Sequence, residues 1–133
     1  MLFRSVDSTN ELVLAEIRID GQMRKVVLNG NKNGFFYVID RTNGKLIAAH
    51  PMTRVTWATH VDLKTGRPVL TDVGDRLMKG EEVSLYPQRG TNAIMFAWNP
   101  KKNLAYLNTW DLPRIQKFVP YQFEKLEIGR AHV

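Results

Sequence analysis

Residues 31–46 read NKNGFFYVIDRTNGKL, which is a polar turn, then an apolar run, then a second turn. The run Phe35–Ile39 is aromatic and β-branched, and turn residues bound it on both sides, so it predicts a strand. The pattern of the second turn is Asp or Asn, three residues, then Gly or Asn, and it returns at residues 62–66 and 99–103. The leading side chain accepts backbone N–H groups, and the closing residue tolerates the left-handed conformation. The stretch therefore predicts a β-hairpin that recurs along the chain.

Apolar runs flank each of these turns, and an Asp-Gly pair at residues 20–21 marks one more hairpin. The interval between successive turns is 22 and then 37 residues, which favours stacked four-stranded blades, although any β-meander uses such turns. The acidic stretch 72–82 is expected to be a surface linker between blades. The predicted strand pairs are Leu12–Ile19 with Arg24–Leu28, Phe35–Asp40 with Lys45–Ala49, Trp57–Asp62 with Arg67–Leu70, and Ala93–Trp98 with Leu104–Asn108.

Composition is that of an ordinary globular chain, with 133 residues, 44% hydrophobic and 24% charged. The absence of cysteine excludes disulfides, thiolate metal sites and cysteine nucleophiles in these residues. No apolar run approaches the roughly 18 residues of a membrane span. The net charge of +6 raises nucleic acid as a partner, but the basic residues are scattered, which indicates a solvated face and no nucleic-acid binding.

From about Val6 to Leu112, and more weakly to Glu127, the chain resembles the methanol/ethanol family of quinoprotein alcohol dehydrogenases. The resemblance is carried by residues 31–46 and by Gly90-Thr91-Asn92. It implies an all-β fold of two to three blades from an eight-bladed propeller. It also implies an enzyme that oxidises a small alcohol to the aldehyde with pyrroloquinoline quinone and Ca²⁺ or a lanthanide. Family members are several times longer, so the chain looks like an internal fragment that is inactive alone. By resemblance, the parent works in the periplasm and passes electrons to an acceptor such as a cytochrome c.

Two cofactor-binding residues follow from this resemblance. At the position of Lys32 the family has an Arg or Lys that contacts the quinone oxygens, and a fixed cation there stabilises charge as the quinone is reduced. Asn92 matches a Gly-x-Asn whose side chain faces the quinone, although Ala93 and Ile94 replace the Trp and His that often follow. The residues alone also allow Lys32 to be a solvent-facing turn lysine and Asn92 to be a turn cap.

Asp7 is the predicted metal ligand. The family carries a catalytic Asp two residues earlier, and that position is Ser5 here, so the chain as printed has no catalytic residue. Asp7 resembles the second acid of the lanthanide-dependent branch, because a hard trivalent ion favours one more carboxylate. The alternative is an exposed Asp before a strand.

Both ends are expected to be non-native. Codons for Leu2–Ser5 and for Ile128–His132 can be written as reverse complements that resemble a sequencing adapter. We therefore expect tails at residues 1–5 and 128–133, a partial propeller at 6–127, and a net charge of +4 once Arg4 and Arg130 are excluded.

Other aromatic and histidine residues give weaker signals. Trp57, Trp98 and Trp110 are expected to pack within blades, and His50 and His60 lack metal-ligand spacing. The main alternative function is a non-catalytic propeller scaffold of the same repeat type, which needs neither Lys32 nor Asn92.

Overall fold

The first four strands form one antiparallel meander in the order β1-β2-β3-β4. The computed structural model of the chain describes residues 10–91 and 96–118. The four strands are β1 (Leu12–Ile19), β2 (Gln22–Gly30), β3 (Phe35–Asp40) and β4 (Leu46–Pro51). This sheet matches the predicted four-stranded blade: β1 and β3 have the predicted bounds, β2 is extended at both ends, and β4 is shifted towards its C-terminal end compared with the predicted Lys45–Ala49.

The hairpin β1–β2 turns at Asp20 and Gly21, which both have positive φ, +49° and +78°. Positive φ at both central residues is the geometry of a two-residue hairpin turn that matches the twist of its strands. The pairing then runs without interruption from Ile19 opposite Gln22 to Leu12 opposite Asn29. The start of β1 and the end of β2 therefore lie at the same end of the sheet.

Strand β3 is covered on both faces, which explains its continuous apolar sequence. Phe35 and Tyr37 face a first core, where the Phe35 ring meets the Trp57 ring edge-on at 6.0 Å. Phe36 and Val38 face a second core, where Phe36 meets Phe96 at 5.8 Å. The sheet is thus the middle layer between two groups of shorter elements.

The shorter elements form three two-stranded sheets and one helix. The first core is covered by elements from residues 58–85, and the second by the hairpin at residues 97–106. The paired strands are β5 with β6, β7 with β10, and β8 with β9. Their bounds are β5 (Ala58–Val61), β6 (Pro68–Leu70), α1 (Asp72–Met78), β7 (Val83–Leu85), β8 (Ala97–Asn99), β9 (Leu104–Tyr106) and β10 (Arg114–Gln116).

The recurring turns have the predicted chemistry. Asp40 accepts the Thr42 N–H at 2.8 Å, and Asp62 accepts the Lys64 N–H at 2.8 Å. Asn99 accepts the Lys101 N–H at 3.1 Å. The closing residues Gly44, Gly66 and Asn103 have φ of +74°, +67° and +53°. The turns therefore form through local hydrogen bonds and left-handed closing residues, as expected.

Residues 72–82, which the sequence predicts as a surface linker between blades, contain the helix α1, and the helix packs against the core through buried Gly74 and Leu77. The Thr71 hydroxyl accepts the Gly74 N–H at 3.3 Å, and Asp72 and Asp75 lie in the first turn, where carboxylates favour the helix dipole. The helix is anchored by Leu77, which is buried in the first core. None of the helices in the described part of the chain is long and apolar enough to cross a membrane.

Candidate functional site

Lys32 lies in the turn Asn31–Gly34 between β2 and β3. The Asn31 N–H donates to the Phe35 carbonyl at 3.0 Å, and the Gly34 N–H donates to the Asn31 carbonyl at 3.1 Å. Gly34 has φ +98°, which an L side chain rarely adopts. The chain therefore reverses within four residues and leaves Lys32 at the tip.

Asn33 fixes this turn through every polar group it has. Its N–H donates to the Asn31 Oδ1 at 3.1 Å, and its own Oδ1 accepts the Phe35 N–H at 3.0 Å. Its Nδ2 donates to the Tyr37 hydroxyl at 2.7 Å, and its carbonyl accepts the Trp57 indole N–H at 3.1 Å. The turn is thus tied both to its own strand and to the Trp57 side chain of the first core.

Gly90 joins the segment before Asn92 to the Lys32 turn. The Gly90 N–H donates to the Lys32 carbonyl at 2.7 Å, and its carbonyl accepts the Trp110 N–H at 3.2 Å. A Cβ on Gly90 would lie 2.6 Å from the Asn31 carbonyl oxygen and from the Gly34 backbone. Only glycine allows two backbones to approach this closely.

Residues that follow Asp7 and precede Asn92 in sequence lie at the same end of the sheet as Lys32. Asn92, Asp7 and the Ser5 position all lie outside the described residues. Of their described neighbours, Gly90 is bonded to Lys32, and Leu12 is paired with Asn29, two residues before the turn. The fold therefore brings Leu12 and Gly90, which are far apart in sequence, to the end of the sheet where Lys32 lies.

The Lys32 side chain is half-buried, and no carboxylate of the described residues lies within 4.0 Å of its ammonium. Lysine is a compact charge on a flexible stem and binds an electronegative group as a point donor. The arrangement fits an anionic or carbonyl-rich ligand.

Tyr37, beneath the turn, has a hydroxyl that is largely shielded from water. Burial raises the pKa of Tyr37 above its usual value, and the hydrogen bond from Asn33 opposes that rise. The hydroxyl therefore stays neutral at physiological pH and accepts the Asn33 amide. Sequence reasoning missed Asn33, Tyr37 and Gly90, and only the Gly90-x-Asn92 match signalled any of them.

Two arginines lie close to each other after β7. Burial, and secondarily the charge of Arg89, lower the pKa of Arg114. The Arg114 Nε is buried and has no acceptor among the described residues. Arg89, which precedes Gly90 in sequence, lies over the Trp110 ring at 6.0 Å.

The expectation that the three tryptophans pack within blades is met for two of them. Trp57 is buried in the first core and Trp98 packs against the second. Trp110 is 41% exposed, so the expectation that it packs inside a blade was wrong. Within residues 10–91 and 96–118 no three His, Asp or Glu side chains come close enough to hold a metal ion.

No protein-family model matches the chain. A quinoprotein ethanol dehydrogenase from Pseudomonas putida is 56% identical over 114 residues, covering 76% of this chain and 18% of that protein. A 1-butanol dehydrogenase (cytochrome c) from Thauera butanivorans is 36% identical over 127 residues, covering 93% of this chain and 18% of that protein. The chain thus spans less than a fifth of the length of these relatives.

Two solved structures superpose on the chain. The quinohemoprotein alcohol dehydrogenase ADHIIG of Pseudomonas putida matches with a TM-score of 0.75 at 33% identity, over 84% of this chain and 17% of that one. A europium-containing methanol dehydrogenase matches with a TM-score of 0.67 at 29% identity, over 75% of this chain and 18% of that one. These superpositions confirm the predicted fold class, a part of a quinoprotein propeller.

The names of these proteins also agree with the predicted enzyme class and cofactors, since they carry a quinone and, in one case, a lanthanide. The similarity covers the stretch around Lys32 as well as the hairpins. The chain is therefore homologous to one segment of the propeller of the quinoprotein alcohol dehydrogenases.

Proposed function

We propose that this chain supplies part of the quinone-binding site of a dehydrogenase that oxidises a small alcohol to an aldehyde. The observation that carries the proposal is half-buried Lys32, whose ammonium has no carboxylate within 4.0 Å among the described residues, on a turn held in place by Asn33 and Gly90. Fixed cations in sheltered positions stabilise developing negative charge more than mobile ones do.

The residues of the chain fit pyrroloquinoline quinone, which carries carbonyl and carboxylate oxygens. When bound, the quinone accepts the hydride of the alcohol. Lys32 would donate a charged hydrogen bond towards its oxygens, and Gly90 lets the segment before Asn92 pack closely against the Lys32 turn. Asn92 is proposed as the second contact, because an amide offers both a donor and an acceptor.

Asp7 is proposed as a ligand of Ca²⁺ or a lanthanide. Support comes from the order of the chain, since Asp7 precedes β1, whose first residue Leu12 lies beside the end of β2 that leads to Lys32. The proton of the alcohol needs a base, and Ser5 at the expected position cannot act as a carboxylate. We therefore propose that the 133-residue chain alone has no dehydrogenase activity.

The partners and the compartment are proposed from the relatives. One relative is named for cytochrome c, which supports a cytochrome c as electron acceptor. A periplasmic location is proposed for the parent on the same family basis. A non-catalytic scaffold is disfavoured, because the relatives reported above are named as dehydrogenases.

The first test measures quinone binding by equilibrium dialysis of the chain against pyrroloquinoline quinone. Loss of one hydrogen bond from a charged group should weaken binding about 10-fold in Lys32→Ala. Lys45→Ala is the matched control, because Lys45 lies in the exposed turn at the other end of β3. Equal binding by the wild type and Lys32→Ala would contradict the proposal.

The second test measures alcohol-dependent dye reduction with quinone and Ca²⁺ or a lanthanide. We expect none from the chain, and activity from the longer protein encoded at the parent locus if that protein has Asp in place of Ser5. Turnover by the chain itself would show that the base lies elsewhere.

A further inference from the structure

Asn33 is the residue that connects the Lys32 turn to the core. Its Nδ2 reaches the Tyr37 hydroxyl at 2.7 Å, and its carbonyl reaches the Trp57 indole at 3.1 Å. Both aromatic rings pack in the first core, and Trp57 is only 5% exposed. We propose that Asn33 is a positioning residue that aims the Lys32 ammonium at the quinone. This inference rests on the function proposed above for Lys32.

An amide at this position suits both partners of the Asn33 side chain. The Asn33 Oδ1 accepts the Phe35 N–H at 3.0 Å while its Nδ2 donates to Tyr37. A carboxylate could bond both partners only if the Tyr37 hydroxyl donated its proton, and it would place a negative charge next to Lys32 in sequence; a hydroxyl side chain is too short to reach both partners. Asparagine matches the observed arrangement with a donor and an acceptor at this reach.

Lys32 depends on this anchoring because its own side chain is flexible. A lysine side chain has four rotatable bonds, so the direction of its ammonium can be restricted only by fixing the backbone from which it extends. The backbone of Lys32 is held on one side by the Asn33 contacts and on the other by Gly90, at 2.7 Å from the Lys32 carbonyl. Residues that lock the geometry of a binding group raise its effectiveness without touching the ligand.

The anchoring is tested first without any quinone. Amide hydrogen exchange of Gly34 and Gly90 is measured by NMR in the wild-type chain, in Tyr37→Phe and in Tyr106→Phe. Tyr106→Phe is the matched control, because Tyr106 is 55% exposed. Loss of the Asn33–Tyr37 hydrogen bond should speed exchange of both amides about fivefold in Tyr37→Phe and not in the control. Unchanged rates in Tyr37→Phe would overturn the proposal.

The link to the quinone is tested by a double-mutant cycle on Lys32→Ala and Asn33→Ala. Pyrroloquinoline quinone is titrated into the wild-type chain, each single variant and the double variant. If Asn33 acts through Lys32, Asn33→Ala weakens binding in the wild-type background and has no further effect in Lys32→Ala. Tyr37→Phe should weaken binding in the same direction, and it serves if Asn33→Ala fails to fold.

The outcomes separate the two proposals. If Lys32→Ala binds the quinone as well as the wild type does, the role of Lys32 fails and this inference fails with it. If Lys32→Ala binds more weakly but the Asn33 and Tyr37 variants do not, or if the effects of Lys32→Ala and Asn33→Ala simply add, only the positioning role is overturned.

Discussion

Replacement of Gly90 by alanine should break the contact between the two segments of the site. A Cβ on Gly90 would lie 2.6 Å from the Asn31 carbonyl oxygen and 2.6 Å from two Gly34 backbone atoms. These are backbone atoms of a turn fixed by several hydrogen bonds, so they cannot move aside as a side chain does. The 86–91 segment must therefore retreat from the Lys32 turn.

The expected loss of stability follows from these contacts. Overpacking of a closed site destabilises by about 1–3 kcal/mol. Retreat also weakens the Gly90–Lys32 and Trp110–Gly90 hydrogen bonds, which contribute about 1 kcal/mol each. The total is about 3 kcal/mol, a large fraction of the roughly 5–15 kcal/mol that holds a domain folded.

Urea denaturation measures this loss. With a urea dependence of about 2 kcal/mol per molar, the midpoint of Gly90→Ala should fall by about 1.5 M. Gly21→Ala is the control, because Gly21 has φ +78° but nothing within 4 Å of a Cβ, so it reports conformational strain without crowding. That strain is about 1–2 kcal/mol. If the urea midpoint of Gly90→Ala falls no further than that of Gly21→Ala, the close approach of the two backbones is not what holds these segments together.

Three further changes have defined outcomes. The hydroxyl and then the N–H of Thr42 hold the pKa of Asp40 below its usual value, so the carboxylate stabilises the fold above about pH 4 and this stability is lost as the pH falls. The urea midpoint of Asp40→Asn should therefore fall less than that of the wild type between about pH 5 and pH 2, and equal falls would contradict this. Because burial raises the pKa of Tyr37, the stability that this side chain contributes to the fold is complete below about pH 10 and declines above it. Tyr37→Phe should show a smaller alkaline decline in urea midpoint than Tyr106→Phe does. Thr71→Ala removes the cap of α1 and should lower stability by about 1 kcal/mol, whereas Thr71→Ser should retain it.

Local chemistry explains which parts of the fold were predictable. The hairpin turns follow from side chains that bond within two or three residues, as Asp62 does with Lys64 and Thr65. The helix α1 also had local signals, namely Thr71 as the cap, the spacing of Val73 and Leu77, and Gly80 with φ +86° after its end. It was missed because four acidic residues were read as a solvated linker.

Contacts between residues far apart in the sequence are the features that could not be predicted from it. The β7–β10 pair joins Leu85 to Arg114 through only three residues on each strand, with no shared turn to signal it. The Asn33–Trp57 bond and the Gly90–Lys32 bond likewise join residues 24 and 58 positions apart. The resemblance predicts a role for Lys32, but nothing in the local pattern could predict that Trp57 and Gly90 bond to its turn.

The described turns that end at Gly34, Gly44 and Gly66 differ in how closely the protein packs around them. A Cβ at Gly44 or Gly66 would meet nothing within 4 Å, so those turns need only reverse the chain. A Cβ at Gly34 would lie 2.8 Å from the Val55 Cγ2 and 3.1 Å from Pro87. A turn that only reverses the chain does not need such close packing, because water can form hydrogen bonds with its polar groups as well as protein can. The Asn31–Gly34 turn, with Lys32 at its tip, is thus packed by Trp57, Pro87 and Gly90, and this is the rigidity that the role proposed for Lys32 requires.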